Sequence, residues 1–237
     1  MRLENIVIDA ADPRTLGAFW RDAVGARTLT WEPDLVEVRV ELDGFFYDLC
    51  LPRVDDIDNT SPRAHVDLGG GTGQSQLVDR LLMLGATTLD IGQGDVEWDV
   101  LADPEGNPLC VLEYRPEYEG AGPVAGIPID CVDPDVDQRF WAELIGWEEC
   151  AGKVPSLRHP SGRGFRLEFC PEFAPKARKN HLHLDVRPET STLPEAVARA
   201  CDLGARQVDL GYGELPWVTM ADPSGNEFCI LPPESHA

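Results

Sequence analysis

The chain has 237 residues, 43% of them hydrophobic, enough to bury a full core as one large domain or two of ordinary size. Against 20 basic residues stand 42 acidic ones, and the formal charge of −22 excludes partners held through phosphates, nucleic acid and anionic membrane surfaces alike. No apolar run approaches the ~20 residues that span a bilayer, Met1-Arg-Leu-Glu carries no signal-peptide pattern, and the seven scattered cysteines lack any C-x-x-C pair, so a cytoplasmic protein with reduced thiols is expected.

Leu3 to Asp9 alternates, with Ile6 and Ile8 on one face and Asn5, Val7 and Asp9 on the other, which predicts a strand. Asp12-Pro13 then supplies an N-cap and first helical residue, Leu16, Phe19, Trp20 and Ala23 form an apolar stripe, and Gly25 ends the helix. Strands follow at Leu35–Leu42 and Phe45–Leu51 around an Asp43-Gly44 turn. Arg63–Leu68 restarts the pattern, with His65 and Asp67 on the face opposite Ala64, Val66 and Leu68. Gly69 to Gly73 reads as a flexible approach to a helix carrying Leu77, Leu81 and Leu84, since no Lys-Ser/Thr follows to make a phosphate loop.

A hairpin closes this unit: Trp98, then Asp103-Pro104-Glu105-Gly106-Asn107, then Cys110. Asp and Pro suit a type I turn, Gly106 supplies the positive φ, and alternation sends Leu109 and Val111 to one face and Cys110 and Leu112 to the other. Arg115 to Gly126 is rich in Pro and Gly and reads as a linker. Everything then recurs at a shift of about 120 residues. Ile127, Ile129 and Asp130 repeat the first strand, Phe140-Trp141 the aromatic pair, Cys170 answers Cys50, His183-Leu-Asp185 answers His65-Val-Asp67, and Trp217 to Cys229 repeats the hairpin. One contrast is charge. Lys176-Ala-Arg178-Lys179-Asn180 stands where the first half has Asp55-Asp56-Ile-Asp58, read either as solvated loops or as complementary charge at an interface or pocket mouth.

The doubled strand–helix–strands order, the Asp-Pro helix start with its Phe-Trp pair, the His-x-Asp strand and the Trp-x4-Asp-Pro-x-Gly-Asn-x2-Cys hairpin together resemble the vicinal oxygen chelate superfamily. That group comprises glyoxalases, bleomycin-resistance proteins and extradiol dioxygenases, and the chain is similar to its glyoxalase-like domains over nearly its whole length. The resemblance implies an α+β fold of tandem domains at residues 1–117 and 126–237 with a linker at 118–125, each domain two βαβββ modules with a curled mixed sheet around a cleft. In metal-dependent members three inward side chains hold a divalent ion. The matching positions are Asn5, His65 and Cys110 in the first half and Gly126, His183 and Cys229 in the second.

Only the two histidines match that ligand set outright, and cysteine in place of glutamate shifts preference from hard ions toward zinc. The expectation is therefore a small-molecule-binding protein without a cofactor, of the bleomycin-resistance sequestration type. Its ligand, cationic or aromatic, would be lined by Asn5, His65, Asp67, Trp98, Cys110, His183, Asp185, Trp217 and Cys229. The alternative is a lyase, isomerase or dioxygenase using Zn, Ni, Mn or Fe at His65, Cys110, His183 or Cys229, or Asp67 or Asp185 as a base without metal. His181 faces the same side as His183 and can join either arrangement. A homodimer is compatible with either reading, and which half works is left open, because pairing between modules can mix strands from both.

Overall fold

The fold is described by a computed structural model covering residues 1–55, 57, 62–92, 94–174 and 176–234. The first half supplies β1 (Arg2–Ile8), α1 (Pro13–Val24), β2 (Arg27–Trp31), β3 (Leu35–Leu42) and β4 (Phe45–Pro52). It continues with β5 (Val66–Gly71), α2 (Gln74–Leu84), β6 (Thr87–Thr88), β7 (Asp99–Ala102) and β8 (Pro108–Glu113). After a single 3-10 turn at Pro116–Tyr118, the second half gives β9 (Val124–Cys131), α3 (Pro134–Ile145), β10 (Glu148–Cys150), β11 (Ser156–Arg158) and β12 (Arg166–Pro171). Last come β13 (Leu182–Arg187), α4 (Leu193–Asp202), β14 (Arg206–Gln207), β15 (Val218–Ala221) and β16 (Glu227–Ile230).

These four βαβββ modules make two open eight-stranded mixed sheets, ordered β14-β15-β16-β13-β1-β4-β3-β2 and β10-β11-β12-β9-β5-β8-β7-β6. Each sheet joins one module from each half. The seams are the antiparallel pairs β1–β13 and β5–β9. The α+β tandem architecture expected from the repeat is present, and every cleft residue set draws on both halves.

Local chemistry explains the elements. The Asp12 side chain accepts from the backbone N–H of Arg14 and Thr15, and Gly25 ends α1 at φ 67°. Leu16, Phe19, Trp20 and Ala23 are buried as the stripe predicts, and each large side chain contributes roughly 1.5–3 kcal/mol of burial. Phe19–Trp20 and Phe140–Trp141 are edge-on ring pairs at 5.4 and 5.5 Å. α1 lies close on β3 at Gly17, where a Cβ would stand 2.5 Å from Val36 Cγ1.

The repeated hairpin is anchored through the aromatic pair. Asp103 Oδ1 accepts from the backbone N–H of Glu105 and Asn107 at 2.9 and 3.0 Å, and Trp20 Nε1 donates to Asp103 Oδ2 at 3.1 Å. Trp141 donates to Asp222 in the second copy at 3.4 Å. Gly106 and Gly225 take φ 87° and 88°, as the turn requires.

Gly69 to Gly71 are not a flexible approach to the helix; they are the end of β5. The glycines are there for contact. A Cβ on Gly70 would meet Leu112 O at 2.7 Å and Gln74 Cα at 2.8 Å, so the strand, its neighbour and the start of α2 close over a missing side chain.

Candidate functional site

Alternation along the strands fixes which side chains leave the main core. Leu109 and Val111 bury in the large core, whereas Cys110 and Leu112 join a separate small cluster with Val100 and Ala125 on the other face of that sheet. Asp67 on β5 is in register with Cys110 on β8 and with Gly126 on β9. His65, just ahead of β5, places Nε2 3.2 Å from Asp67 Oδ1, and one ligand atom each from His65, Asp67 and Cys110 lie within 4.8 Å of one another. The His65 side chain is 32% exposed, so the group is reached from solvent on the histidine side. Desolvation opposes charge on His65, but the hydrogen bonds and negative charge of Asp67 and Cys110 outweigh it and lift its pKa to about 10.

The other sheet carries the same three residue types. Asp185 on β13 is in register with Cys229 on β16 and with Asn5 on β1. His183 Nε2 lies 3.6 Å from Asp185 Oδ1 and 3.7 Å from Cys229 Sγ, and the three ligand atoms again fall within 4.8 Å. Here Asn5 Nδ2 donates to Asp185 Oδ2 at 2.9 Å. Burial, then the charges of Lys179 and His181, drive the His183 pKa down to about 3, while burial raises Asp185 to about 7 against the hydrogen bond from Asn5. The two histidines are thus driven in opposite directions, up at His65 and down at His183.

The grouping implied by the resemblance is corrected by the sheet seams. Asn5 stands with His183, Asp185 and Cys229, and Gly126 stands with His65, Asp67 and Cys110, because β1 pairs with β13 and β9 with β5. Trp98 packs on the small apolar cluster that contains Cys110, whereas Trp217, just ahead of β15, is 36% exposed. His181 is buried with its pKa lowered to about 4 by burial and Lys179, and it supplies no atom to the three-donor group. The basic segment is neither loose nor free: Lys176 pairs with Glu227 and Lys179 with Asp9, each at 2.5 Å. Its acidic counterparts Asp56 and Asp58 lie outside the described residues.

Two cleft residues escaped sequence reasoning. Glu168 on β12 is in register with Pro128, whereas Cys50 on β4 is in register with Val7, the residue equivalent to Pro128. Matching Cys170 to Cys50 therefore slipped the strands by two residues and hid Glu168, whose signal was a lone acid in the apolar run Leu167-Glu-Phe169. Its carboxylate fills the space left by Gly126, where a Cβ would stand 3.2 Å from Glu168 Oε2. Burial and the charge of Asp67 raise the Glu168 pKa. Tyr118, from the linker, donates its hydroxyl to Glu168, with the two carboxylate oxygens at 2.9 and 3.1 Å.

The donor chemistry fits a divalent ion of the zinc class. Imidazole nitrogen, carboxylate oxygen and thiolate sulfur are three ligands of the kinds zinc accepts, with a fourth position left for water or ligand. Asp185 Oδ1 and His183 Nδ1 are buried without a hydrogen-bond partner, Asp67 Oδ1 is buried with His65 Nε2 at 3.2 Å, and an ion would satisfy such atoms. The His65 group fits better, because in the other one Asn5 already engages Asp185.

A family model described as a glyoxalase-like domain matches residues 5–112 and again 126–231. Glyoxalase I from Zea mays superposes with a TM-score of 0.67 at 14% identity, covering 98% of this chain and 92% of that one. A Bacillus subtilis protein solved as a candidate dioxygenase gives 0.58 at 12% identity, covering 97% and 84%. At these identities the likeness is one of fold. Among curated protein sequences none matches.

Proposed function

Because the chain belongs to the glyoxalase-like domain family of the vicinal oxygen chelate superfamily, in two tandem copies, we propose that it works on a small molecule in the His65 cleft with a zinc-class ion held by His65, Asp67 and Cys110. The observation that carries this reading is the convergence of three ligand types within 4.8 Å at a histidine whose side chain is 32% exposed, against 11% for His183. When bound, the ion would supply Lewis acidity toward a ligand oxygen.

The chain's own residues supply the rest. Glu168 faces the same space across Gly126, and burial raises its pKa, which suits a group that takes and returns a proton. That favours proton transfer of the lyase or isomerase type. Leu112, Val100 and Trp98 make an apolar cluster with Cys110 on one side of the group.

Metal-free sequestration of the bleomycin-resistance type is the second reading, and the Asn5–Asp185 bond favours it for the His183 cleft. The test is zinc content after EDTA stripping and reloading. The proposal expects one ion per chain, lost in His65→Ala and retained in His183→Ala. Ligand binding that needs no metal in either cleft would sink it.

A further inference from the structure

The interdomain connection does more than join the halves. Its 3-10 turn lies against the His65 cleft and places Tyr118 in it. The Tyr118 ring packs on the small apolar cluster of Val100, Cys110, Leu112 and Ala125, which is separate from the main core. Arg166 Cζ stands 5.5 Å from the centre of that ring, and the hydroxyl rests on Glu168 at 2.9 and 3.1 Å. Arg166 is 2% exposed and Glu168 8%, so both charges are deep in the protein and lie 3.6 Å apart.

Holding a linker does not require this. The linker backbone is already fixed by Arg166 Nη1 donating to Glu117 O at 3.2 Å and Arg158 Nη2 donating to Glu119 O at 2.5 Å. Burying a carboxylate and a guanidinium around a phenol adds a desolvation cost that an apolar anchor would avoid. The surroundings of Tyr118 have the make-up of a ligand site: an apolar floor, a cation over the ring and a buried acceptor for one hydroxyl.

We propose that Tyr118 is a built-in stand-in for the ligand of this cleft, and that the ligand is a small phenolic compound which displaces it. The ligand's ring takes the place on the apolar cluster under Arg166, its hydroxyl donates to Glu168, and the rest of it extends toward His65, Asp67 and Cys110. The linker is then an internal competitor that leaves when a suitable phenol arrives. This rests on the His65 cleft being the ligand site, but not on the ion.

The probe is p-cresol, which reproduces the tyrosine side chain, with toluene as the analogue lacking the hydroxyl, both in EDTA and with the full chain. Saturating p-cresol should speed amide exchange of Glu119 and Ala121 in the wild type, because their N–H groups bond to Pro116 O and Tyr118 O within the turn. Tyr118→Ala should bind p-cresol about tenfold more tightly than toluene, the discrimination expected of one buried hydrogen bond. Unchanged linker exchange up to the solubility limit of p-cresol overturns the proposal even where the variant fails to fold. Equal binding of p-cresol and toluene also overturns it. A chain that passes this test yet takes up no zinc would keep its phenol site and lose the metal reading alone.

Discussion

Asn5 donates its side-chain amide to Asp185 at 2.9 Å across the seam between β1 and β13. At the same seam position in the other sheet, Gly126 leaves Asp67 without that donor. This difference distinguishes the two donor groups at the seam. One acid accepts from an amide on the neighbouring strand, and the other has no donor there and instead has His65 Nε2 3.2 Å from its Oδ1.

Removing the amide should cost stability. Asn5→Ala leaves Asp185 Oδ2 without its donor, and a loss of about 1–3 kcal/mol is expected in urea unfolding. The reciprocal change, Gly126→Asn, pushes a side chain into the Glu168 carboxylate and is expected to weaken metal uptake at the His65 group by at least about tenfold. Unaltered metal uptake by Gly126→Asn would show that the glycine is not what keeps this cleft open.

The two histidines should titrate apart. In metal-free protein, imidazole NMR is expected to find His65 protonated through neutrality with a pKa of about 10, and His183 neutral down to about 3. A raised pKa at His65 stabilises the fold below the ordinary histidine range, and that contribution is lost as pH rises through about 10. The depressed pKa at His183 acts in reverse: its contribution is present above the ordinary range and lost as pH falls toward about 3. Matching titration curves would contradict the charge asymmetry.

A buried acid pair gives a second pH signature. Asp137 accepts from Ser224 Oγ at 2.5 Å and Asp222 from the Asn226 backbone at 2.8 Å, where α3 meets the second hairpin. Burial raises both pKa values, and the charge of Asp137 adds to the rise at Asp222. The folded chain then holds more protons than the unfolded one, so this stability is complete below the ordinary carboxylate range and is lost as pH climbs through the raised values. Melting temperature should fall from about pH 4 toward about pH 8, and Asp137→Asn should flatten that fall. A wild-type profile as flat as the variant's would refute it.

The hairpin anchors can be ranked. Trp20 donates to Asp103 at 3.1 Å and Trp141 to Asp222 at 3.4 Å, so Trp20→Phe should lose about 1–3 kcal/mol and Trp141→Phe less. Chemical denaturation of the two variants side by side checks the order.

The repeat, the helix start at Asp12-Pro13 and the alternation that sets Cys110 apart from Leu109 were legible because each follows from local stereochemistry. Strand β2 was not, since its five residues are exposed or half-buried at a sheet edge and only Leu29 and Trp31 carry its apolar alternation. Nor was the company that Asn5 keeps. Pairing β1 with β13 brings together residues 180 positions apart, and a periodic pattern carries no record of which edge it joins. Glu168 was hidden by the two-residue slip between β4 and β12, and Tyr118 by a linker whose composition says turn and whose fold says cleft.

The most direct test of the central claim is a cobalt(II) titration of EDTA-stripped protein, read by the sulfur-to-cobalt charge-transfer absorbance that thiolate ligation produces. The account predicts saturation at one equivalent, with the band abolished in Cys110→Ser and unchanged in Cys229→Ser. A band that persists in Cys110→Ser, or no band in the wild type, would contradict it.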